Sequence, residues 1–350
     1  MIDRNELKKY TRVGGLFTVE GTAVRCQACA HRCLIAPEKS GICGVRYNEN
    51  GQLRVPWGYA AGVQLDPVEK KPFNHFLPGR TVVTFGMLGC NFHCEFCQNW
   101  VTSQALRDET AGRYLDQIDL IDPVQLAEAA VAHGAAGIVS SYNEPLISSE
   151  WAVAIFSEAK KRGLKTAYVS NGFATPEVLE YLHPYLDAYK VDLKSMQEAR
   201  YREMGGRLQP VLDTIALAKK MGLWVEVVSL LIPGFNDSVD ELWQMGSFIS
   251  HVSAEIPWHV TAFHPDYHMD DRSATVPETL QRAAEIGEEA GLHFVYAGNL
   301  PGRVGPLEDT RCPHCGVTLI QRRGYHIGEN RLTAAGACPD CGTVIPGIWQ

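Results

Sequence analysis

The stretch Thr81-Val82-Val83-Thr84-Phe85, followed closely by Cys90-Asn91-Phe92-His93-Cys94-Glu95-Phe96-Cys97, organises the reading of the whole chain. Its first five residues have the β-branched and aromatic make-up of a buried strand. The loop after them sets three cysteines in a CxxxCxxC array with no fourth cysteine near. Three thiolates on one short loop can hold three irons of a [4Fe–4S] cube and leave the fourth iron open to a substrate. A zinc site completed by His93 or by a distant ligand is the alternative for the same residues.

Outward from this loop, strand and helix patterns alternate from about Pro78 to Gly298. Strands are predicted at Thr81–Phe85, Ala136–Ser140, Lys165–Val169, Ala188–Asp192, Leu223–Leu231, His259–Phe263 and Leu292–Tyr296. Helices are predicted at Pro123–His133, Ser149–Arg162, Pro176–Tyr181, Gln209–Met221, Val239–Ile249 and Pro277–Ala290. Several begin with proline in the first turn and end near glycine. Such alternation means a parallel sheet with crossover helices, and too few units for a closed eightfold barrel. The expected fold class is therefore α/β, a partial (β/α)6-type parallel barrel over residues 76–300. A small N-terminal four-cysteine module (1–75) and a C-terminal zinc-ribbon or rubredoxin-like module (301–350) flank it.

Polar residues interrupt the pattern at the carboxyl ends of the strands, where α/β folds build their sites. Ser141-Tyr142-Asn143-Glu144-Pro145 follows the second strand and Ser170-Asn171-Gly172 the third; Asp192 and Lys194 end the fourth, and His264 follows the sixth. Each also has a plain structural reading. Glu144 can be a helix-start acid, Asn171-Gly172 a turn, Asp192 with Lys194 an internal ion pair, and His264 a satisfied loop histidine.

The chain holds eleven cysteines, and they fall into groups of four, three and four. Cys312-Pro313-His314-Cys315-Gly316 and Cys338-Pro339-Asp340-Cys341-Gly342 are matched knuckles that suit a structural zinc, or iron in the same cage. Cys26, Cys29, Cys33 and Cys43 give C-x₂-C-x₃-C spacing with a glycine-flanked last ligand; four thiols suit zinc or an Fe–S cluster, with His31 a neighbour. An odd total and the absence of an apolar leader in Met1-Ile2-Asp3-Arg4-Asn5-Glu6-Leu7-Lys8-Lys9 favour metal over disulfides and a cytoplasmic setting. In the 350 residues, 32 Lys and Arg against 40 Asp and Glu leave a net charge of −8, which argues against non-specific nucleic-acid binding. No apolar run approaches a membrane span's length.

At Cys90-x₃-Cys94-x₂-Cys97 the chain resembles the radical S-adenosylmethionine (SAM) enzymes, specifically the pyruvate formate-lyase activating-enzyme branch, from about Thr81 to Tyr296. The resemblance implies that the open iron chelates the amino and carboxylate groups of SAM. One electron then cleaves the sulfonium to methionine and a 5′-deoxyadenosyl radical. It implies that the Phe96 backbone faces adenine, Glu144 the methionyl amino group, and Ser170 and Asn171 a SAM-contacting turn. Asp192, Lys194 and His264 would serve ribose, carboxylate and adenine. The family's GGE motif is replaced by Tyr142-Asn143-Glu144, and Val169 stands where the activating enzymes carry an acid of their cation site.

The whole chain is more similar still to the radical SAM component of the AmmeMemoRadiSam system. The residues that carry this are Cys26-x₂-Cys29 through Cys43-Gly44-Val45-Arg46, Tyr142-Asn143-Glu144-Pro145, Phe263-His264-Pro265-Asp266-Tyr267, Tyr296-Ala297-Gly298-Asn299 and Ile345-Pro346-Gly347-Ile348-Trp349. That likeness implies Memo-type and AMMECR-type companion proteins, a low-potential electron donor, and hydrogen abstraction from a substrate or partner it does not name. Activation of a glycyl-radical protein is the second reading. A non-catalytic Fe–S/zinc electron-transfer scaffold is the reading from another class, though a scaffold needs no open iron and no polar rim.

Overall fold

Thr81–Gly86 is the first strand of the α/β core, and all but its first residue are buried. The computed structural model, which describes residues 4–113 and 118–350, pairs it in parallel with Gly137–Ser140, which in turn pairs in parallel with Lys165–Ser170. Val139 lies opposite both Thr84 and Ala167. Burial runs along these strands without alternation, as expected of parallel strands covered on both faces. Between them, the helix Pro123–Ala132 starts where Asp122 Oδ1 accepts from Val124 N (2.9 Å) and Gln125 N (3.1 Å). The helices Ser149–Lys161 and Pro176–Leu182 follow, the second capped by Thr175 Oγ1, which accepts from Val178 N at 3.2 Å.

Two compact units divide the chain. The first comprises Met1–Asp66, Thr81–Tyr189 and Glu198–Leu223; the second comprises Pro67–Arg80, Lys190–Gln197 and Trp224–Gln350. In the second, Trp258–Ala262 lies between Trp224–Leu231 and Val295–Gly298, parallel to both, with His259 opposite Val228 and Tyr296. Its helices Val239–Val252 and Pro277–Glu289 cover this sheet with Leu242, Met245, Ile249, Leu280 and Ala284 buried. The strand Ala188–Asp192 and the helix Leu208–Lys220 complete the alternation. The fold is thus the α/β core with a partial parallel sheet that the pattern implied.

The last core strand is displaced from its expected position, Val295–Gly298 instead of Leu292–Tyr296. Leu292 N donates to Gly287 O (3.0 Å) and His293 N to Ala254 O (2.9 Å), so these residues still close the preceding helix and loop. Composition could not separate them from the strand, because both stretches are apolar. Short helices at Trp100–Ser103, Glu109–Arg113 and Glu198–Glu203 were also not expected.

The N-terminal segment, within the first unit, is antiparallel. Thr11–Val13 and Tyr47–Glu49 flank Gln52–Pro56, and Phe17–Glu20 and Leu34–Ile35 flank Ala23–Cys26. Residues 310–330, in the second unit, form three antiparallel strands, Thr310–Arg311, Thr318–Arg323 and His326–Asn330. Their core (Leu319, Ile320, Cys312, Cys338 and Ile345) is continuous with Phe294 and Tyr296. Among the described residues, no helix is long and apolar enough to cross a membrane, and none of the eleven cysteines is disulfide-bonded.

Candidate functional site

The loop of three cysteines leaves the strand Thr81–Gly86 and is held by backbone and side-chain bonds. Phe92 N donates to Cys90 Sγ at 3.4 Å, and Cys97 Sγ lies 3.1 Å from Ser103 Oγ. His93 N donates to Met204 O at 3.0 Å. Gly205 and Gly206 make this approach possible: a Cβ on Gly205 (φ +84°) would sit 2.4 Å from the His93 ring, and one on Gly206 2.4 Å from Phe92. Cys94 and Phe96 are buried, Cys90 and Cys97 partly so. Burial, and after it the Glu144 charge, push the Cys90 thiol well up.

Glu144, Ser170 and Asn171 converge beside this loop. Glu144 Oε1 accepts from Ser170 Oγ (2.7 Å) and Leu146 N (3.0 Å), and Oε2 accepts from Asn171 N (2.7 Å). Asn171 Nδ2 then donates to Asn91 Oδ1 (2.7 Å), one residue from Cys90. The carboxylate is 2% exposed. Glu144 is therefore also the helix-start acid of its plain reading, since Leu146 lies in the short helix Pro145–Ser148. Tyr189 adds a bond from its hydroxyl to Ser170 Oγ at 3.0 Å.

The other three expected SAM-contacting residues belong to the second unit. Asp192 accepts from Lys190 Nζ, and from Lys194 Nζ at 3.0 Å. Burial raises its carboxyl, but Lys190 and then Lys194 outweigh that and hold it at about 2. The internal ion pair is thus real, with Lys190 as a member that spacing did not single out. His264 is exposed after the strand Trp258–Ala262, its Nδ1 3.3 Å from Pro265 O.

Three residues that pattern reasoning passed over hold the cysteine loop in place. Arg107 Nη1 donates to Phe92 O (2.7 Å), and its Nη2 to Cys90 O (2.7 Å) and Ile42 O (2.5 Å). Gln104 Nε2 donates to Phe92 O at 3.3 Å. Asn91 bonds Asn171, and its carbonyl lies 3.0 Å from His31 Nε2. No periodicity or spacing marks an arginine ten residues beyond the last cysteine. Asn91, inside the cysteine array, was visible but had no assigned task.

Cys26, Cys29, Cys33 and Cys43 line one small cavity together with His31, Arg46 and Ile147. The hairpin brings them there: Cys26 ends the strand Ala23–Cys26 and its N–H donates to Cys33 O at 3.0 Å. Arg46, 1% exposed, makes a paired bond to Glu150, Nη1 to Oε2 and Nη2 to Oε1, both 2.7 Å.

In the second unit Cys312, Cys315, Cys338 and Cys341 place all four sulfurs within 4.8 Å of one another. Sγ pairs lie at 3.6 Å (Cys312–Cys341) and 3.7 Å (Cys315–Cys338). Tetrahedral thiolate zinc, with bonds of about 2.3 Å, spaces its sulfurs by about 3.8 Å. The two turns match: Gly316 N donates to Cys312 O and Gly342 N to Cys338 O, each 2.9 Å, both glycines at positive φ. The set fits a single zinc or iron ion. Among the described residues it is the one group of three or more ligand side chains that closes this far. Cys90, Cys94 and Cys97, with or without His93, are not a group that closes within that distance.

Residues 85–248 match the model of the Radical SAM superfamily. The chain is 37% identical over 330 residues to "Uncharacterized protein MJ0808" of Methanocaldococcus jannaschii, which covers 93% of this chain and 96% of that one. It is 25% identical to the isethionate sulfite-lyase activating enzyme of Nitratidesulfovibrio vulgaris, over 54% of this chain and 62% of that protein. It is 23% identical to the pyruvate formate-lyase-activating enzyme of Staphylococcus aureus, over 59% of this chain and 88% of that one.

Proposed function

Since the chain belongs to the radical SAM superfamily and is related to the pyruvate formate-lyase activating enzymes, we propose that it is the radical SAM component of the AmmeMemoRadiSam system. In this reading it cleaves SAM reductively and abstracts hydrogen from a small molecule or partner protein. The observation that carries the reading is the meeting of the Cys90–Cys97 loop with Glu144, Ser170 and Asn171. A [4Fe–4S] cluster bound there supplies an open iron for SAM and the electron that breaks its sulfonium bond.

The chain's own residues do the rest. Cys90, Cys94 and Cys97 hold the irons, and Asn91 ties their loop to Asn171. Glu144 is ordered by donors from Ser170, Leu146 and Asn171, so its carboxylate meets an incoming α-amino group without reorganising. Asp192, Lys194 and His264 are assigned to ribose, carboxylate and adenine, and the Phe96 backbone to adenine. Cys312, Cys315, Cys338 and Cys341 would hold a structural zinc, or iron. Memo-type and AMMECR-type proteins are the proposed companions, a low-potential one-electron donor supplies the reducing equivalent, and the setting is cytoplasmic.

Likeness extends along almost the whole length of the archaeal relative but little past half of this chain for the activating enzymes. This supports a narrower group of its own. Kinship with activating enzymes of isethionate sulfite-lyase and pyruvate formate-lyase favours the second reading, activation of a glycyl-radical protein.

Anaerobic reconstitution, dithionite reduction and measurement of 5′-deoxyadenosine test the proposal. Wild type should form it and Cys94→Ala should not, while the Cys312 set keeps its metal. Equal rates in the two proteins would overturn the assignment of the loop, and a non-catalytic scaffold would form none. Co-incubation with the companion proteins, or with a glycyl-radical protein, then decides which product changes.

A further inference from the structure

Building on the reading of the Cys90 loop as the catalytic cluster site, we propose that Cys26, Cys29, Cys33 and Cys43 hold a second [4Fe–4S] cluster, which relays electrons to the first. Sulfur spacing is the first support. The chain carries its own ruler for one metal ion bound by four thiolates: Cys312, Cys315, Cys338 and Cys341, with sulfur pairs at 3.6 and 3.7 Å. The N-terminal four line a common cavity yet do not close to that spacing. They share this with Cys90, Cys94 and Cys97, and a cube holds its thiolates farther apart than a single ion does.

The cavity wall is the second support. Arg46 lines it, and its Nε is buried with no hydrogen-bond partner. An unsatisfied buried donor costs about 1–3 kcal/mol, and cluster sulfide is an acceptor that would relieve it. A cube with four thiolates is anionic, and since Glu150 already matches the Arg46 charge, what this wall offers a cluster is the unpaired Nε–H donor. Zinc with four thiolates is anionic too, but brings no inorganic sulfide to accept from Nε.

The third support is direct connection between the two cysteine sites. Arg107 donates to Ile42 O, beside Cys43, and to Cys90 O and Phe92 O in the catalytic loop. His31, between Cys29 and Cys33, lies 3.0 Å from Asn91 O. A Cβ on Gly89 would come within 2.9 Å of Cys43 O, so the loops meet at backbone contact. A merely structural ion needs no such route.

The transfer balances simply. One electron enters the N-terminal site from a low-potential one-electron donor and one leaves it for the loop site. The N-terminal site ends each turnover at the oxidation level where it began. No bond forms or breaks there, and no proton is required.

The test is analysis of the full chain carrying Cys90→Ala, Cys94→Ala and Cys97→Ala together, reconstituted anaerobically with iron and sulfide. It leaves the N-terminal four untouched. The proposal expects about four irons and four acid-labile sulfides per chain, an EPR signal after dithionite reduction, and one further metal ion in the Cys312 set. Two zinc ions and no sulfide would overturn it. In the companion variant Cys29→Ser/Cys43→Ser, iron should fall from about eight to about four per chain. The relay has its own readout: reduced wild type should show spin–spin broadening that the summed spectra of the two variants lack. A wild-type spectrum equal to that sum would overturn the relay. None of these measurements uses SAM cleavage, so failure of the proposed reaction would show separately, as a protein with both clusters that forms no 5′-deoxyadenosine.

Discussion

Acid should loosen the second unit through His75. Its Nδ1 lies 2.7 Å from Pro346 O and its Nε2 2.6 Å from Tyr296 Oη. A carbonyl can only accept, so Nδ1 carries the proton and Nε2 accepts from the tyrosine hydroxyl. The ring is fully buried, parallel to Trp224 and edge-on to Phe294 at 4.4 Å. Burial holds its titration down to about 4, with the Glu226 charge opposing, against about 6.5 in an unfolded chain. Between these values the unfolded chain binds a proton that the folded one refuses. Stability is therefore fully present above about pH 6.5 and is lost as pH falls toward 4.

At pH 5 the linkage amounts to about 2 kcal/mol, or roughly 4–8 °C in Tm for a domain of about 150–250 residues. His75→Phe keeps a ring in place but cannot titrate. It should lose about 1–3 kcal/mol at pH 7.5 from the missing bonds. Its further loss on going to pH 5.0 should be smaller than that of wild type by about 2 kcal/mol. Anaerobic urea denaturation followed by tryptophan fluorescence measures both, with Trp224 and Trp349 beside the ring as reporters. An equal loss between the two pH values in both proteins would refute the reasoning, because the wild-type dependence would then arise elsewhere.

Arg46→Met strands the buried Glu150 carboxylate and should cost about 3–5 kcal/mol in urea denaturation. Arg46→Met/Glu150→Leu should recover most of this, and a double variant no better than the single would count against a paired charge. Glu144→Gln leaves at least one of three donors facing an N–H. It should lower stability by about 1–3 kcal/mol and SAM affinity roughly ten- to hundred-fold, with normal iron content; unchanged affinity in a SAM titration would reduce Glu144 to a helix-start acid. His264→Ala, at an exposed position, should change stability by no more than about 0.5 kcal/mol while weakening SAM binding in the same titration. Cys338→Ser should remove the structural metal and, because Cys338 shares a core with Phe294 and Tyr296, raise hydrogen exchange in Val295–Gly298 as well as after Gly305. Protection unchanged in both regions would show that the metal does not hold this core together.

Local chemistry is readable wherever ligands or donors lie a few residues apart. The CxxxCxxC loop, the paired CPxCG knuckles and the alternation of buried strands with Pro-started helices each depend on neighbours in the chain. Backbone geometry then does the placing: once Thr81–Gly86 is a parallel strand, its cysteine loop must emerge at the carboxyl end. Glu144 and Asn171 were legible for the same reason, each sitting just past a strand.

What sequence could not disclose was which partners these groups meet. Arg107 joins Ile42 to Cys90 across 65 and 17 residues, Arg46 reaches Glu150 across 104, and His75 meets Pro346 across 271. Contacts at such separations follow from how whole elements pack, and no period or spacing encodes them. The three cysteine groups show the division. Ligand type and count were written in the chain, and they left zinc and iron–sulfur both open. Packing adds what they lack: the Cys312 set brings its four sulfurs within 4.8 Å of one another, while Arg107 and Asn91 tie the Cys90 loop to Ile42, His31 and Asn171. Which ligands exist is a property of the sequence; how far apart they are held is a property of the packed fold.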